Sequence, residues 1–101
     1  MTDLIIKTYI DRFKDYAKAG DAVCNDAMSL IDNGEIIVFN MTGLDSVSTV
    51  FLNTSFGQLI DTYGIERVKK SFKFTNILRS QADRIKKYFA DYAELKNTPL
   101  S

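Results

Sequence analysis

The chain has no histidine, no tryptophan, one cysteine and one proline. Without histidine there is no imidazole to act as a general base near neutral pH or to ligate zinc. A single cysteine, Cys24, rules out an intrachain disulfide and any multi-cysteine metal site, which fits a reducing compartment. No apolar run approaches the roughly 18 residues a membrane span needs, and the N-terminus lacks a basic segment followed by an apolar stretch and a small-residue cleavage site. A cytoplasmic protein without a membrane partner is expected. Signature motifs are missing as well. No glycine run ends in Lys-Ser or Lys-Thr, and there is no G-x-G-x-x-G, H-E-x-x-H or G-x-S-x-G. The acids are scattered over polar helix faces, so paired carboxylates for glycoside hydrolysis are not indicated. No cofactor, no metal and no catalytic residues are expected; the chain reads as a binding protein and not an enzyme.

What is present suffices for one core. The 101 residues are 46% hydrophobic and include seven Phe and five Tyr. No interior linker, repeat or low-complexity segment divides them, and Pro99 falls in a polar tail, about 97–101, expected to be flexible. A single domain over 1–101 follows. The net charge is zero, but the charges are unevenly distributed. Between Met1 and Asp45 there are eight acids against four bases. Between Glu66 and Lys87 there are eight bases (Arg67, Lys69, Lys70, Lys73, Arg79, Arg84, Lys86, Lys87) against two acids. If these bases converge in space, they form a basic face.

Apolar periodicity places the elements. Leu4–Ile10 is mostly β-branched or aromatic and reads as a strand. Asp11–Ala19 is ambiguous. Gly20-Asp21 reads as a break and an N-cap, followed by a helix whose stripe is Val23, Ala27, Leu30 and Ile31, stopped at Asn33-Gly34. Glu35–Met41 carries Ile36-Ile37-Val38-Phe39 without a polar interruption, which predicts a central strand covered on both faces. After a polar loop, Leu52, Phe56, Leu59, Ile60 and Tyr63 predict an amphipathic helix closed by Gly64. Ile65–Lys70 suggests a short helical turn, Phe72 and Phe74 a half-buried strand, and Leu78, Ala82, Ile85, Phe89 and Tyr92 a long final helix. The alternation of strand and helix argues for an α/β sheet with at least one parallel crossover.

Two local features have a chemical reading. Cys24 lies near the start of the helix expected after Asp21, where a helix dipole lowers a thiol pKa, although a packed thiol is the simpler reading. The segment Leu44-Asp45-Ser46-Val47-Ser48-Thr49-Val50-Phe51-Leu52-Asn53 joins the central strand to a helix start. Ser48 and Thr49 there are suited to a structural cap or, alternatively, to a phosphosite or ligand contact.

Gly34–Leu44 and Ser48–Leu59, with Phe51-Leu52-Asn53 and Gly57-Gln58-Leu59 as the most specific parts, resemble the bacterial and phage-borne STAS-like domains of unknown function. Phe72-Lys73-Phe74-Thr75-Asn76 and Ile85-Lys86-Lys87-Tyr88-Phe89 extend the likeness, which spans roughly Gly20 to Phe89. The resemblance implies an α/β domain with a small mixed sheet flanked by helices, related to the anti-sigma-factor antagonist fold. In that fold a strand leads through a Ser/Thr-bearing loop into a helix that docks a kinase-like ATPase and is released by phosphorylation of the loop. Thr49 falls at the switch position. Ser48 stands where an Asp usually precedes it, Asn40 where an Asp is common, and Val50 where a second hydroxyl is frequent.

The expectation is a regulatory module that binds a protein partner, a kinase-like ATPase or a host enzyme, through Ser46, Ser48, Thr49 and Asn53, with Arg67, Lys69 and Lys70 adding contacts. Thr49 and Ser48 are the phosphorylation candidates. Two alternatives accompany it: a nucleic-acid or nucleoprotein contact through the basic 66–87 stretch, and a phage-encoded inhibitor of a host enzyme. No sequence feature sets the oligomeric state or the strand order.

Overall fold

A computed structural model describes residues 1–97 of the chain, with side chains through residue 94. Three strands, β1 (Thr2–Ile5), β2 (Ile37–Asn40) and β3 (Phe72–Thr75), pair in the order β1-β2-β3, all parallel. The sheet is therefore parallel and not mixed, because every strand-to-strand connection passes through helices: α1 (Ile6–Phe13) and α2 (Tyr16–Asp32) before β2, then α3 (Thr49–Leu52), a π-helical segment (Asn53–Gly57), α4 (Gln58–Tyr63) and α5 (Ile65–Ser71) before β3. α6 (Arg79–Asn97) closes the described chain. The tail expected over 97–101 lies outside the described residues beyond Asn97.

The first apolar run is divided between two elements. β1 stops at Ile5, where its partner β2 stops, since Ile5 pairs with Asn40 at the end of the ladder. The chain then turns helical at once: Ile6, Tyr9 and Ile10 face inward at helical spacing, and Lys7 and Asp11 form an i,i+4 ion pair of 2.7 Å on the outside. A strand over Leu4–Ile10 is thus corrected to the last two residues of a strand, Leu4 and Ile5, followed by helix from Ile6. Lys14, in the left-handed region, ends α1, and the Asp15 carboxylate caps α2 by accepting from the Lys18 N–H at 3.0 Å.

Gly20 is not a break. It lies inside α2 and is buried, and a Cβ there would come within 2.9 Å of the Phe51 carbonyl oxygen. The glycine lets α2 cross the helical segment after Ser48 at close range, so a weak helix former is retained for packing. Cys24, expected near a helix start, lies in the middle of α2 and is buried.

The core is built on one face of the sheet. Leu4, Ile37, Phe39 and Phe72 join a single cluster with residues of every helix. The Phe39 ring meets Phe56 edge-on at 5.0 Å, Phe72 at 4.6 Å and Phe74 at 5.6 Å. β2 is central and, as expected, covered on both faces, with Ile37 and Phe39 buried on one and Val38 on the other, although only the first face carries the core cluster. Its Val38 is buried without joining the cluster, while the residues paired with it across the ladder, Asp3 and Lys73, are exposed, and Ile5 on the same face is 47% exposed.

Candidate functional site

The carboxyl end of the central strand carries the loop singled out in the sequence. Asn40 organises its start: the side-chain oxygen accepts from the Thr42 N–H at 3.0 Å, the Thr42 hydroxyl at 2.5 Å and the Asn76 amide at 3.2 Å. One side chain thus joins the turn after β2 to the turn after β3, where Asn76 takes a left-handed conformation. Gly43, at φ 82°, completes the first turn in a conformation that disfavours other residues. Lys7 of α1 lies directly against it.

Ser48 caps the next helix, its hydroxyl accepting from the Phe51 N–H at 3.4 Å. From Thr49 to Tyr63 the backbone stays helical through the junctions at Leu52, Asn53, Gly57 and Gln58, so the expected amphipathic helix is one rod with a π turn in it. Hydroxyls occupy carbonyls around that turn. Thr54 donates to Val50 O at 3.0 Å, and the buried Ser55 donates to Phe51 O at 2.6 Å. π turns of this kind recur at functional sites.

The loop is held from the opposite side by α6. Gln81 donates to Leu44 O at 2.8 Å and Arg84 to Val47 O at 2.8 Å. The Arg84 guanidinium also donates to the Thr49 hydroxyl. Tyr88 donates to the Asn53 side chain at 2.9 Å, and Tyr92 donates to Asp61 at 2.7 Å. Residues 81, 84, 88 and 92 recur at i, i+3, i+7 and i+11, one polar stripe of α6 facing the 44–61 segment. Burial first, and then the bond to Asp61, pushes the Tyr92 phenol up to about 12; burial raises Tyr88 as well.

The predicted site residues divide between the two ends of the sheet. Ser46, Thr49 and Asn53 are exposed and Ser48 is half-buried, all at the carboxyl end. Arg67, Lys69 and Lys70 lie on α5, which leads into β3 and so belongs to the amino end. Arg67 is turned onto its own domain, donating to Ile31 O at 3.2 Å and lying 5.0 Å from the centre of the Tyr63 ring. The basic stretch does not gather on one face: Arg84 faces the loop, Lys87 pairs with Asp91 at 3.0 Å, and Lys69 and Lys86 lie beside a separate groove between α5, β3 and α6. Arg84 and Tyr88 were not among the expected site residues. Their signal in the sequence is the polar stripe on α6 that runs beside its apolar one.

A hollow of about 260 Å³ lies beside the loop, bounded by Asp45, Ser46, Val47, Ser80, Gln81 and Arg84. It falls below the roughly 300–1,000 Å³ typical of small-molecule pockets. Among the described residues, no group of three or more Cys, Asp or Glu is placed to hold a metal ion, and no helix is long and apolar enough to cross a membrane. Burial, with Asp21 nearby, pushes the Cys24 thiol up, opposite to what a nucleophile requires.

The family model for the STAS-like domain of unknown function (DUF4325) matches residues 11–80, most of the chain. The chain belongs to that family. The matched span covers α2, β2, the loop, the π-containing rod and β3, and reaches the first turn of α6. The STAS-like α/β fold expected from the loop and helix motifs therefore stands on the family match and on the parallel sheet. No curated protein and no solved structure matches the chain.

Proposed function

We propose that this STAS-like domain is a non-enzymatic regulatory module whose protein partner, of the kinase-like ATPase or host-enzyme class, meets the loop from Ser46 to Asn53. The observation that carries the reading is the exposed ledge at the carboxyl edge of the sheet, where open α/β sheets place their ligands. Thr49 and Asn53 present polar groups there, and Val50, 50% exposed, adds an apolar contact. α6 holds the ledge in place before any partner arrives, which lowers the ordering cost of association.

Arg84 gives the ledge a means of switching. Its guanidinium already reaches both Val47 O and the Thr49 hydroxyl. A phosphate at Thr49 brings close to two negative charges and draws that guanidinium into a charge-assisted pair, changing both the charge and the shape offered to a partner. Dispersal of the basic residues favours this reading over a nucleic-acid contact, which needs several cations on one face.

The test is capture from the native host with three baits: the parent, Thr49→Ala and Thr49→Asp. A partner retained by the parent and Thr49→Ala but lost with Thr49→Asp supports the reading. Equal retention by all three removes Thr49 from the interface. Tight, steeply salt-dependent binding to DNA or RNA by the purified domain overturns the protein-module assignment.

A further inference from the structure

β3 ends the strand order on one side of the sheet, so its outer edge has no strand partner among the described residues. Thr75 O accepts from the Met41 N–H at 3.0 Å, which turns the backbone groups of Thr75 toward β2. By alternation, the N–H and C=O of Phe74 point to the open edge. Alongside that edge, between β3 and α6, runs a groove of about 260 Å³ walled by Phe72, Phe74, Ile85 and Phe89. Lys69 and Lys86 flank it. Lys7 and Lys87 are each tied to an acid on the same helix, whereas Lys69 and Lys86 hold no ion pair among the described residues.

We propose that this groove receives an extended, alternating acidic and apolar segment of a partner protein, which adds to β3 as a fourth strand. Each feature of the groove corresponds to a feature of such a segment. The free backbone groups of the edge supply the ladder bonds of β-augmentation. Alternate side chains of an added strand point to the same face, so apolar ones enter the groove. The two lysines select carboxylates over ammonium groups on the segment. The volume suits one or two side chains and not a cofactor. A second copy paired through its own β3 would set Lys69, Lys73 and Lys86 of both copies close together, and like charges in register destabilise strand pairs. The groove lies on a face of α6 next to the one that holds the Thr49 loop, so occupancy here does not depend on the switch at Thr49.

The probe is a fluorescent, end-blocked peptide alternating glutamate and valine, followed by anisotropy with the purified domain. A lysine–valine peptide and a copy N-methylated on alternate amides are the controls. Binding of the glutamate peptide alone is expected, weakened by about tenfold or more in the Lys69→Glu/Lys86→Glu double variant. Both lysines are exposed, so the double variant keeps the parent's thermal midpoint. Ala82→Trp, which fills the groove from α6, is expected to block binding with near-ultraviolet circular dichroism confirming a folded core. Equal binding of the two charged peptides, no binding of either, or full binding of the N-methylated copy overturns the proposal. Sedimentation showing a dimer of the parent that the double variant lacks assigns the groove to a second copy and overturns it too.

Discussion

Two faces of α6 attach it to the domain by different means, and the difference separates what holds the fold from what shapes the ledge. One face inserts Ile85 and Phe89 into the core, where Phe89 stacks on Phe56 at 6.0 Å. The other reaches across with Gln81, Arg84, Tyr88 and Tyr92 to backbone and side-chain oxygens of the 44–61 segment. Apolar burial is non-directional and contributes several kcal/mol per large side chain, while each hydrogen bond contributes a net of about 1 kcal/mol but fixes geometry. The apolar face therefore sets stability, and the polar face sets the conformation of the loop.

Truncation on the apolar side gives the largest effect. Phe39 and Phe56 are fully buried and in edge-on contact. Replacing either by Ala is expected to cost about 3–5 kcal/mol in chemical denaturation, a large fraction of a small domain's stability. A midpoint unmoved by either change would mean that the core is not organised around this pair.

A glycine pair sharpens the contrast at the next level. A Cβ on Gly20 meets the Thr54 side chain and the Phe51 backbone oxygen, whereas one on Gly57 meets chiefly the Tyr88 hydroxyl at 2.7 Å. Backbone cannot yield, but the far end of a tyrosine can. Gly20→Ala is expected to destabilise by about 1–3 kcal/mol through overpacking, and Gly57→Ala by less. The reverse order would show that the polar stripe is the stiffer of the two attachments.

These glycines also mark where the sequence was legible. The rod from Thr49 to Tyr63, β3 and α6 followed from apolar spacing, because one face of each is buried, and the central strand followed from an unbroken apolar run, because both of its faces are. Leu4–Ile10 did not, since a seven-residue apolar run satisfies both periods and only the length of its partner β2 ends the strand at Ile5. Gly20 reads as a break because propensity describes an isolated helix, whereas its role depends on Phe51 and Thr54, more than thirty residues away. In the candidate site, Ser48 and Thr49 were legible as helix-start hydroxyls. Arg84 was not, because its bond to the loop spans some 35 residues and charge counting treats every arginine alike.

Arg84 tests the polar face directly. Arg84→Ala removes its bonds to Val47 O and the Thr49 hydroxyl and is expected to cost about 1–2 kcal/mol. Lys86→Ala, one residue pair further along the same helix but without an ion pair among the described residues, is expected to stay within about 0.5 kcal/mol of the parent. Amide hydrogen exchange should rise in the 44–53 segment of the Arg84 variant and nowhere in the β2 core. Equal losses for the two variants would reduce the Arg84 contact to an ordinary surface interaction.

The smallest effect is invisible at neutral pH and concerns the last member of the stripe. Tyr92 is held neutral by burial and by its bond to Asp61, so its phenol titrates near 12 in the folded domain and near the ordinary 10 when unfolded. Between those values the unfolded chain has released a proton that the folded chain retains, so stability falls as pH rises. Below about 10 the contribution is fully present, and it is lost progressively as pH climbs through the folded value. Tyr9, Tyr63 and Tyr88 are raised in the same direction and add to the decline. Denaturant titrations across the alkaline range should therefore show a fall that Tyr92→Phe makes shallower, because Phe has no proton to lose. If the Tyr92→Phe slope matches the parent, the phenol titrates alike in both states, and α6 is not closed over Asp61 in solution.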